Sequence, residues 1–502
     1  MEKFGQSQTL NRLEDVRLLT GQGRYVDDIA PRGALHAHFL RAEVAHGEIT
    51  ALDAAPAREM DGVHLVLTAD DLEADGVTLA MKATTAKNRD GSRGAAPVRP
   101  VLARGRVRFV GEPVAVVIAE TRQGARDAAE AIELEIDDLP VHLEIAPGGP
   151  DLHAEAPGNV AFDWALGDED AVTRALAESA HRVSLDLVHN RVIVNSMEPR
   201  GAVAEWREGR LHLSYNGQGV WPEKKALARA LGLSQDRVHV TTPDVGGGFG
   251  MKAMPYPETV VISAAARRLG RPVRWMAERT EAMLSDNAGR DLLATAELGF
   301  DSGHRITAYR VDIRANLGAY NSNFGQMIQS EVSSKVAPGV YDIDTLFVRA
   351  RGIYTNTTQT DAYRGAGRPE AIYTLERVMD RAARELGVDP VELRRRNFIA
   401  PDAFPYRTAA GETYDVGDFP RILDRLEDHA DIAGFPARRA ASEAAGKLRG
   451  MGLCYYIEAI LGDGTEDAAV EFTEDGQARL FVGTQSNGQG HETVYAEFLS
   501  EQ

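Results

Sequence analysis

Val245 to Lys252 reads VGGGFGMK, and its residue types suit one task, letting backbone N–H groups come close to an anionic ligand. Gly246, Gly247, Gly248 and Gly250 carry no side chain that would hold a ligand away, so the peptide itself can be the donor surface. No Gly-Lys-Ser/Thr follows, which excludes a P-loop, and Met251 stands where a GxGxxG fingerprint needs its last glycine. A tight structural turn would use the same residues.

Three other stretches carry polar groups among small residues. Gln218 sits in YNGQGVW, where a solvated loop glutamine is the plain alternative to a ligand-facing amide. Asp361 to Glu370, DAYRGAGRPE, holds Arg364 and Arg368 ahead of a helical pattern. Guanidinium donors and a helix end there would act on the same oxyanion, or the arginines would satisfy loop carbonyls. Gly483 to Thr493, GTQSNGQGHET, also precedes a helical pattern. His491-Glu492 matches half of a zinc HExxH motif, but Tyr495 replaces the second histidine and zinc is set aside.

The elements that must position these loops follow from periodicity. Arg237 to Thr242 alternates like a strand and Glu258 to Leu269 repeats apolar residues at helical spacing, which would aim a helix N-terminus at the ligand of the first loop. Pro222 opens a helix to Leu231. Leu375, Val378, Met379, Ala382, Ala383 and Leu386 form one apolar stripe, with Gly387 as C-cap and Asp389-Pro390 starting the next helix. Met197-Glu198-Pro199-Arg200 is a charged turn suited to a structural ion pair. Val470 to Phe472 and Ala478 to Val482 form paired strands before the last loop.

Residues 12–145 form a first unit of mixed α/β type, with buried strands at Gly62 to Leu67 and Val114 to Ile118, an alanine-rich helix at Arg122 to Ile132, and a surface loop at Ala83 to Pro100. Residues 146–159, rich in proline and glycine, read as a linker. Residues 160–400 and 401–502 follow as second and third units.

With 502 residues the chain can bury several cores, and a formal charge of −19 argues against nucleic acid or an anionic membrane as partner. One cysteine, Cys454, can neither form an intrachain disulfide nor hold an iron–sulfur cluster, and its apolar setting reads as a buried thiol. There is no apolar signal region and no membrane-length apolar run, so a cytoplasmic protein is expected.

Three glycine-rich loops, each before a helix, exceed what one phosphate needs and suggest a large anionic cofactor held mainly by backbone. The chain resembles the molybdopterin-binding large subunit of the xanthine dehydrogenase/aldehyde oxidase family of molybdenum hydroxylases. RLEDVRLLTGQGRYVDDI (12–29) and VRFVGEPVAVVIAE (107–120) are similar to its N-terminal hammerhead domain; MEPRGAVA, VGGGFGMK, DAYRGAGRPE and GTQSNGQGHET are similar to its molybdopterin domains, in the family's order. The resemblance implies an α+β chain, an α/β hammerhead domain at 12–145 followed by mixed α/β molybdopterin-binding domains at 160–400 and, incompletely, 401–502.

It also implies roles. Gln218 matches the glutamine that hydrogen-bonds an oxo ligand of molybdenum, Gly247, Gly248, Phe249 and Gly250 match the loop whose backbone meets the metal centre, and Arg364 matches the arginine beside it. Gln218, Phe249 and Arg364 would thus surround the molybdenum without ligating it. Gly488, Gln489, Gly490 and Thr493 match the segment holding the pterin and its phosphate. The cofactor implied is molybdenum–molybdopterin, with the cytosine dinucleotide as one form it could take. Iron–sulfur and FAD carriers are expected on partner subunits, since this chain has one cysteine and no dinucleotide fingerprint.

Departures narrow the substrate. Purine-oxidising members carry a glutamate where this chain has Ala253 and a stacking phenylalanine where it has Ala366; carbon monoxide dehydrogenases carry a copper-binding cysteine near the loop arginine, absent from DAYRGAGRPE. A roomier pocket for an aldehyde or an aromatic N-heterocycle is expected. The family's base, a glutamate in a Gly-x-Gly-Glu segment, has no counterpart here, and Gly111-Glu112-Pro113 belongs to the N-terminal domain. No catalytic residue is therefore assigned. The helical pattern runs to Gln502 without a terminating residue, so a fragment, or a split subunit completed by a second chain, is expected. A non-catalytic binding or assembly protein is the reading from another class, and a nucleotide enzyme using VGGGFG alone is a third.

Overall fold

The computed structural model describes residues 10–81, 83–460 and 466–501; Gln502 lies outside them. Two mixed sheets position the loops. The first has seven strands in the order Val238–Thr241, Arg210–Tyr215, Gly201–Arg207, Val273–Met276, Leu35–Arg41, Pro113–Ala119 and Val63–Leu67. Pro113–Ala119 is buried at every position, as its unbroken apolar run requires. Leu35 pairs in parallel with Val273, so strands from both sides of residues 146–159 share one sheet. The helices Val220–Ala230 and Pro257–Leu269 cover it, placing Leu227, Val260 and Val261 in one core with Leu35, Ile118, Leu213 and Trp275. The first helix begins two residues before Pro222, which still falls in its opening turn.

The second sheet has five strands in the order His181–Ile193, Ala288–Phe300, Ile306–Gly318, Leu346–Tyr354 and Val160–Gly167. Helix Arg368–Leu386 lays the predicted stripe of Leu375, Val378, Met379, Ala382 and Ala383 into that core. Gly387 ends it in the left-handed conformation (φ +67°), and the Asp389 side chain caps the next helix by accepting from Val391 N at 2.8 Å and Glu392 N at 3.1 Å.

Three expectations change. The 146–159 stretch is packed and tied down: buried Asn159 donates to the carbonyls of Gly148 and Pro150, and its Oδ1 accepts from Leu152 N. The 83–100 loop is partly buried, because Gln326 accepts from Ala86 N at 3.0 Å and donates to Ala95 O at 2.7 Å, drawing the loop onto the second sheet's unit. Cys454 is exposed. Its neighbourhood is extended, and alternation turns Tyr455 inward against Phe398 and Phe419 while Cys454 faces out. An apolar stretch alone could not say which parity faces the core.

Candidate functional site

The loops meet. Gln218 donates its backbone N–H to Lys252 O at 2.9 Å, and its side-chain Oε1 accepts from Gly250 N at 2.8 Å. Glycine is required at these positions: a Cβ on Gly248 would lie 2.5 Å from Gln218 Cδ, and one on Gly250 (φ +94°) 2.8 Å from Ala362 O. Phe249 takes a positive φ of +54° between them and is 43% exposed. Phe249 O accepts from Arg364 N at 2.9 Å, which ties the first glycine loop to the second.

In the second loop the two arginines part company. Arg368 pairs with Glu458 at 2.6 Å, whereas the exposed Arg364 guanidinium makes no hydrogen bond among the described residues. The loop carbonyls are satisfied by a residue that periodicity did not single out. Arg290 donates to Tyr363 O and Arg364 O, both at 2.8 Å, and reaches Glu370 at 3.3 Å. Arg364 and Gly365 line one end of an open cavity of about 920 Å³, with Tyr373, Cys454, Tyr456 and Glu458 also in its walls.

The third loop lies against the first and against the N-terminal helix Leu13–Leu19. A Cβ on Gly488 would stand 4.0 Å from Val245 O, and one on Gly490 3.3 Å from Arg12 Nε. Thr493 is committed to that helix, its hydroxyl donating to Glu14 Oε2 at 2.6 Å and accepting from Leu13 N at 2.8 Å. The Gln489 side chain folds onto its own loop, donating to Gln485 O at 3.3 Å. Gln485, also unforeseen, donates to Gly217 O at 2.6 Å and accepts from Gly219 N at 3.0 Å. Arg17 bonds Glu492 at 2.7 Å.

Of the three helices expected to point at a ligand, one abuts its loop without a side-chain cap. His491–Glu501 starts directly after Gly490. Arg368–Leu386 also starts at its loop, but Glu370 accepts from Gly367 N at 2.9 Å and caps it. Pro257–Leu269 is separated from the first loop by a short turn at Met251–Ala253, and its first residues face a buried ion cluster instead. There Arg200 pairs with Glu258 at 2.9 Å and with Asp286 at 2.5 Å, and Arg41 pairs with Glu258 at 2.7 Å. Burial pushes the Glu258 carboxyl up, but Arg200 and Arg41 outweigh it and hold it well below the carboxylate range. The charged turn is thus structural, though Glu198 and Arg200 do not pair with each other. Glu198 accepts from Gly246 N at 2.8 Å and from Lys252 Nζ at 3.3 Å. Burial draws Lys252 down to about 8, with Glu198 opposing.

Behind Gly217 a space of about 20 Å³ is lined by Tyr215, Glu223, Lys252 and Trp275. Glu223 Oε1 and Trp275 Nε1 are buried without a hydrogen-bond partner, and burial raises the Glu223 carboxyl to about 7.

The front of the assembly suits an anion. The N–H groups of Gly247, Gly248 and Phe249, and those of Gly488, Gln489 and Gly490, donate to no acceptor among the described residues. Two runs of free donors on touching loops, with a pinned amide at Gln218 and an unpaired guanidinium at Arg364, fit a large anionic group held by backbone.

Comparison with known proteins agrees. The aldehyde oxidase and xanthine dehydrogenase a/b hammerhead domain model matches residues 20–140, and molybdopterin cofactor-binding domain models match residues 152–398 and 425–502. The chain belongs to the molybdopterin-binding large subunits of the xanthine dehydrogenase/aldehyde oxidase family. It is 35% identical to the nicotine 6-hydroxylase large subunit of Paenarthrobacter nicotinovorans over 98% of this chain and 61% of that one. It is 33% identical to the carbon monoxide dehydrogenase large chain of Hydrogenophaga pseudoflava, over 97% of this chain and 64% of that one. Quinoline 2-oxidoreductase of Pseudomonas putida 86 superposes with a TM-score of 0.90 at 33% identity, over 99% of this chain and 65% of that one. The chain spans about three fifths of the length of these large subunits. No helix among the described residues is long and apolar enough to cross a membrane.

Proposed function

We propose that this chain binds molybdenum–molybdopterin and forms the cofactor-binding part of an oxidoreductase that hydroxylates an aromatic N-heterocycle. The reaction converts substrate C–H and water into C–OH, two protons and two electrons. The observation that carries the reading is the pair of free N–H runs, Gly247–Phe249 and Gly488–Gln489–Gly490, on loops bonded together beside Gln218. When bound, the cofactor would supply the two-electron redox centre and the oxygen-transfer chemistry.

The residues divide the remaining work. Backbone N–H groups of Gly488, Gln489 and Gly490 would hold the pterin side, those of Gly247, Gly248 and Phe249 the metal end. Gln218 keeps its Nε2 group for the ligand because its Oε1 is occupied by Gly250 N. Arg364 offers an unpaired cation at the substrate side, and Phe249 is exposed enough to flank a planar substrate. Thr493, engaged with Glu14, would act by fixing its loop. Glu112 accepts from Arg108 N at 2.6 Å and is given no role as base.

A heterocycle is favoured over an aldehyde by the names of two relatives, a nicotine hydroxylase and a quinoline oxidoreductase, together with small Ala253 and Ala366 beside the loops. Iron–sulfur and FAD-binding subunits in the cytoplasm would take the electrons, and the cytosine dinucleotide is the cofactor form proposed. The test is the complete complex: stoichiometric molybdenum and pterin, turnover of nicotine- or quinoline-like rings, and loss of turnover in Gln218→Ala and Arg364→Ala. A metal-free complex with full activity would sink the proposal.

A further inference from the structure

The carboxamide of Gln485 touches both neighbours of Gln218. Its Nε2 donates to Gly217 O at 2.6 Å and to Asn487 Oδ1 at 2.9 Å, and its Oε1 accepts from Gly219 N at 3.0 Å. The two N–H groups and the oxygen of one planar head are thus all used. The orientation is fixed, because a flipped amide would set oxygen against the Gly217 carbonyl and NH₂ against the Gly219 N–H.

The Tyr215 hydroxyl also donates to Gly219 O at 2.7 Å, which leaves Gly217 O and Gly219 N to Gln485. Gly217 can carry no side chain, since a Cβ there would fall 2.0 Å from Tyr215 Cε2, and Gly219 sits at φ +98°. Two glycines flanking a functional amide leave its backbone free to turn. On the far side Gln218 is held by Lys252 O and Gly250 N. The Gln485 head holds Gly217 O and Gly219 N from a loop 266 positions away in sequence. It joins the region matched by the second molybdopterin cofactor-binding model to that matched by the first.

We propose that Gln485 is a positioning residue for Gln218, clamping the Gly217–Gly219 peptide so that the Gln218 amide is presented to the cofactor in one orientation. This rests on the role proposed above for Gln218. The Gln485 side chain keeps no free N–H for the cofactor, so it acts through geometry and not through binding. Misplacement by about an ångström is enough to cost about 100-fold in rate.

The experiment uses the complete, molybdenum-loaded complex with Gln485→Ala, Gln485→Glu, Gln218→Ala and the Gln218→Ala/Gln485→Ala double variant. Gln485→Ala is expected to keep the molybdenum-to-protein ratio, lower kcat about 100-fold with little change in KM, and speed amide exchange at Gly219 about tenfold. Gln485→Glu retains the acceptor for Gly219 N but sets a carboxylate against Gly217 O, so exchange at Gly219 stays slow while kcat falls. The double variant should be no slower than Gln218→Ala, because one residue acts through the other. Unchanged exchange at Gly219 in Gln485→Ala overturns the clamp itself. Additive losses in the double variant overturn the coupling to Gln218. A loaded and fully active Gln218→Ala enzyme overturns the role given to Gln218, and with it the catalytic consequence of the clamp, while the exchange result separates that failure from a failure of the contact.

Discussion

Arg17 donates to Asp244 Oδ2 at 2.5 Å across 227 positions of sequence, and its second nitrogen reaches Glu492. Asp244 immediately precedes the first glycine loop and Glu492 immediately follows His491 of the third. One guanidinium from the N-terminal helix therefore fastens two cofactor loops. Arg17→Ala removes both bonds at a partly exposed site, so it should cost about 1 kcal/mol in stability. Its larger effect should be on retention: the variant complex is expected to lose molybdenum faster on dilution than wild type, read as metal content against time. Equal retention would count against the fastening.

Gly248→Ala places a methyl 2.5 Å from Gln218 Cδ. Neither the loop nor Gln218 can yield without breaking the bond from Gly250 N, so overpacking should cost about 1–3 kcal/mol and displace the amide. The measurement is molybdenum content together with the urea midpoint. Wild-type values in both would show that the loop is softer than its contacts imply.

Burial raises the Glu223 carboxyl to about 7 from 4.5, so the folded protein binds this proton more tightly than the unfolded chain. The stabilising contribution is whole below pH 4.5 and is lost as the pH rises through 7. Glu223→Gln stays neutral and should gain on wild type by roughly 3 kcal/mol between pH 5 and pH 8. Urea unfolding at several pH values measures the difference, and a pH-independent difference would remove Glu223 as its source.

Arg200 and Glu258 are both buried, and Arg200 lies 3.7 Å from the Tyr256 ring centroid. Arg200→Met leaves buried Asp286 without its guanidinium and should cost about 3–5 kcal/mol, whereas Glu258→Gln leaves Arg200 on Asp286 and Arg41 on Glu281 and should cost less. The double variant should cost less than the sum, which a double-mutant cycle reads directly.

The glycine loops, the stripe on Arg368–Leu386, its C-cap Gly387 and the Asp389 cap of the next helix were legible because each is a local pattern. Family membership was legible for a related reason: four motifs in order carry more information than any one of them. What escaped was partnership over distance. Nothing near Gln485 in sequence indicates Gly217 or Gly219, nothing near Arg290 indicates the carbonyls of Tyr363 and Arg364, and Arg17 sits in an ordinary charged helix. The expectation that Pro257–Leu269 would face a ligand failed because Arg41 and Arg200 occupy that end of the helix. The Cys454 expectation failed because an apolar run does not state which alternate residues point inward.

The parallel pairing of Leu35 with Val273 also orders events during synthesis. As the chain leaves the ribosome, Leu35–Arg41 can zip against Pro113–Ala119 early, but its other edge waits for Val273–Met276. At about 5–20 residues per second that edge stays open for about 8–30 s. An unpaired strand edge of this kind attracts other chains, so production of this protein should respond strongly to holdase chaperones and to slower growth.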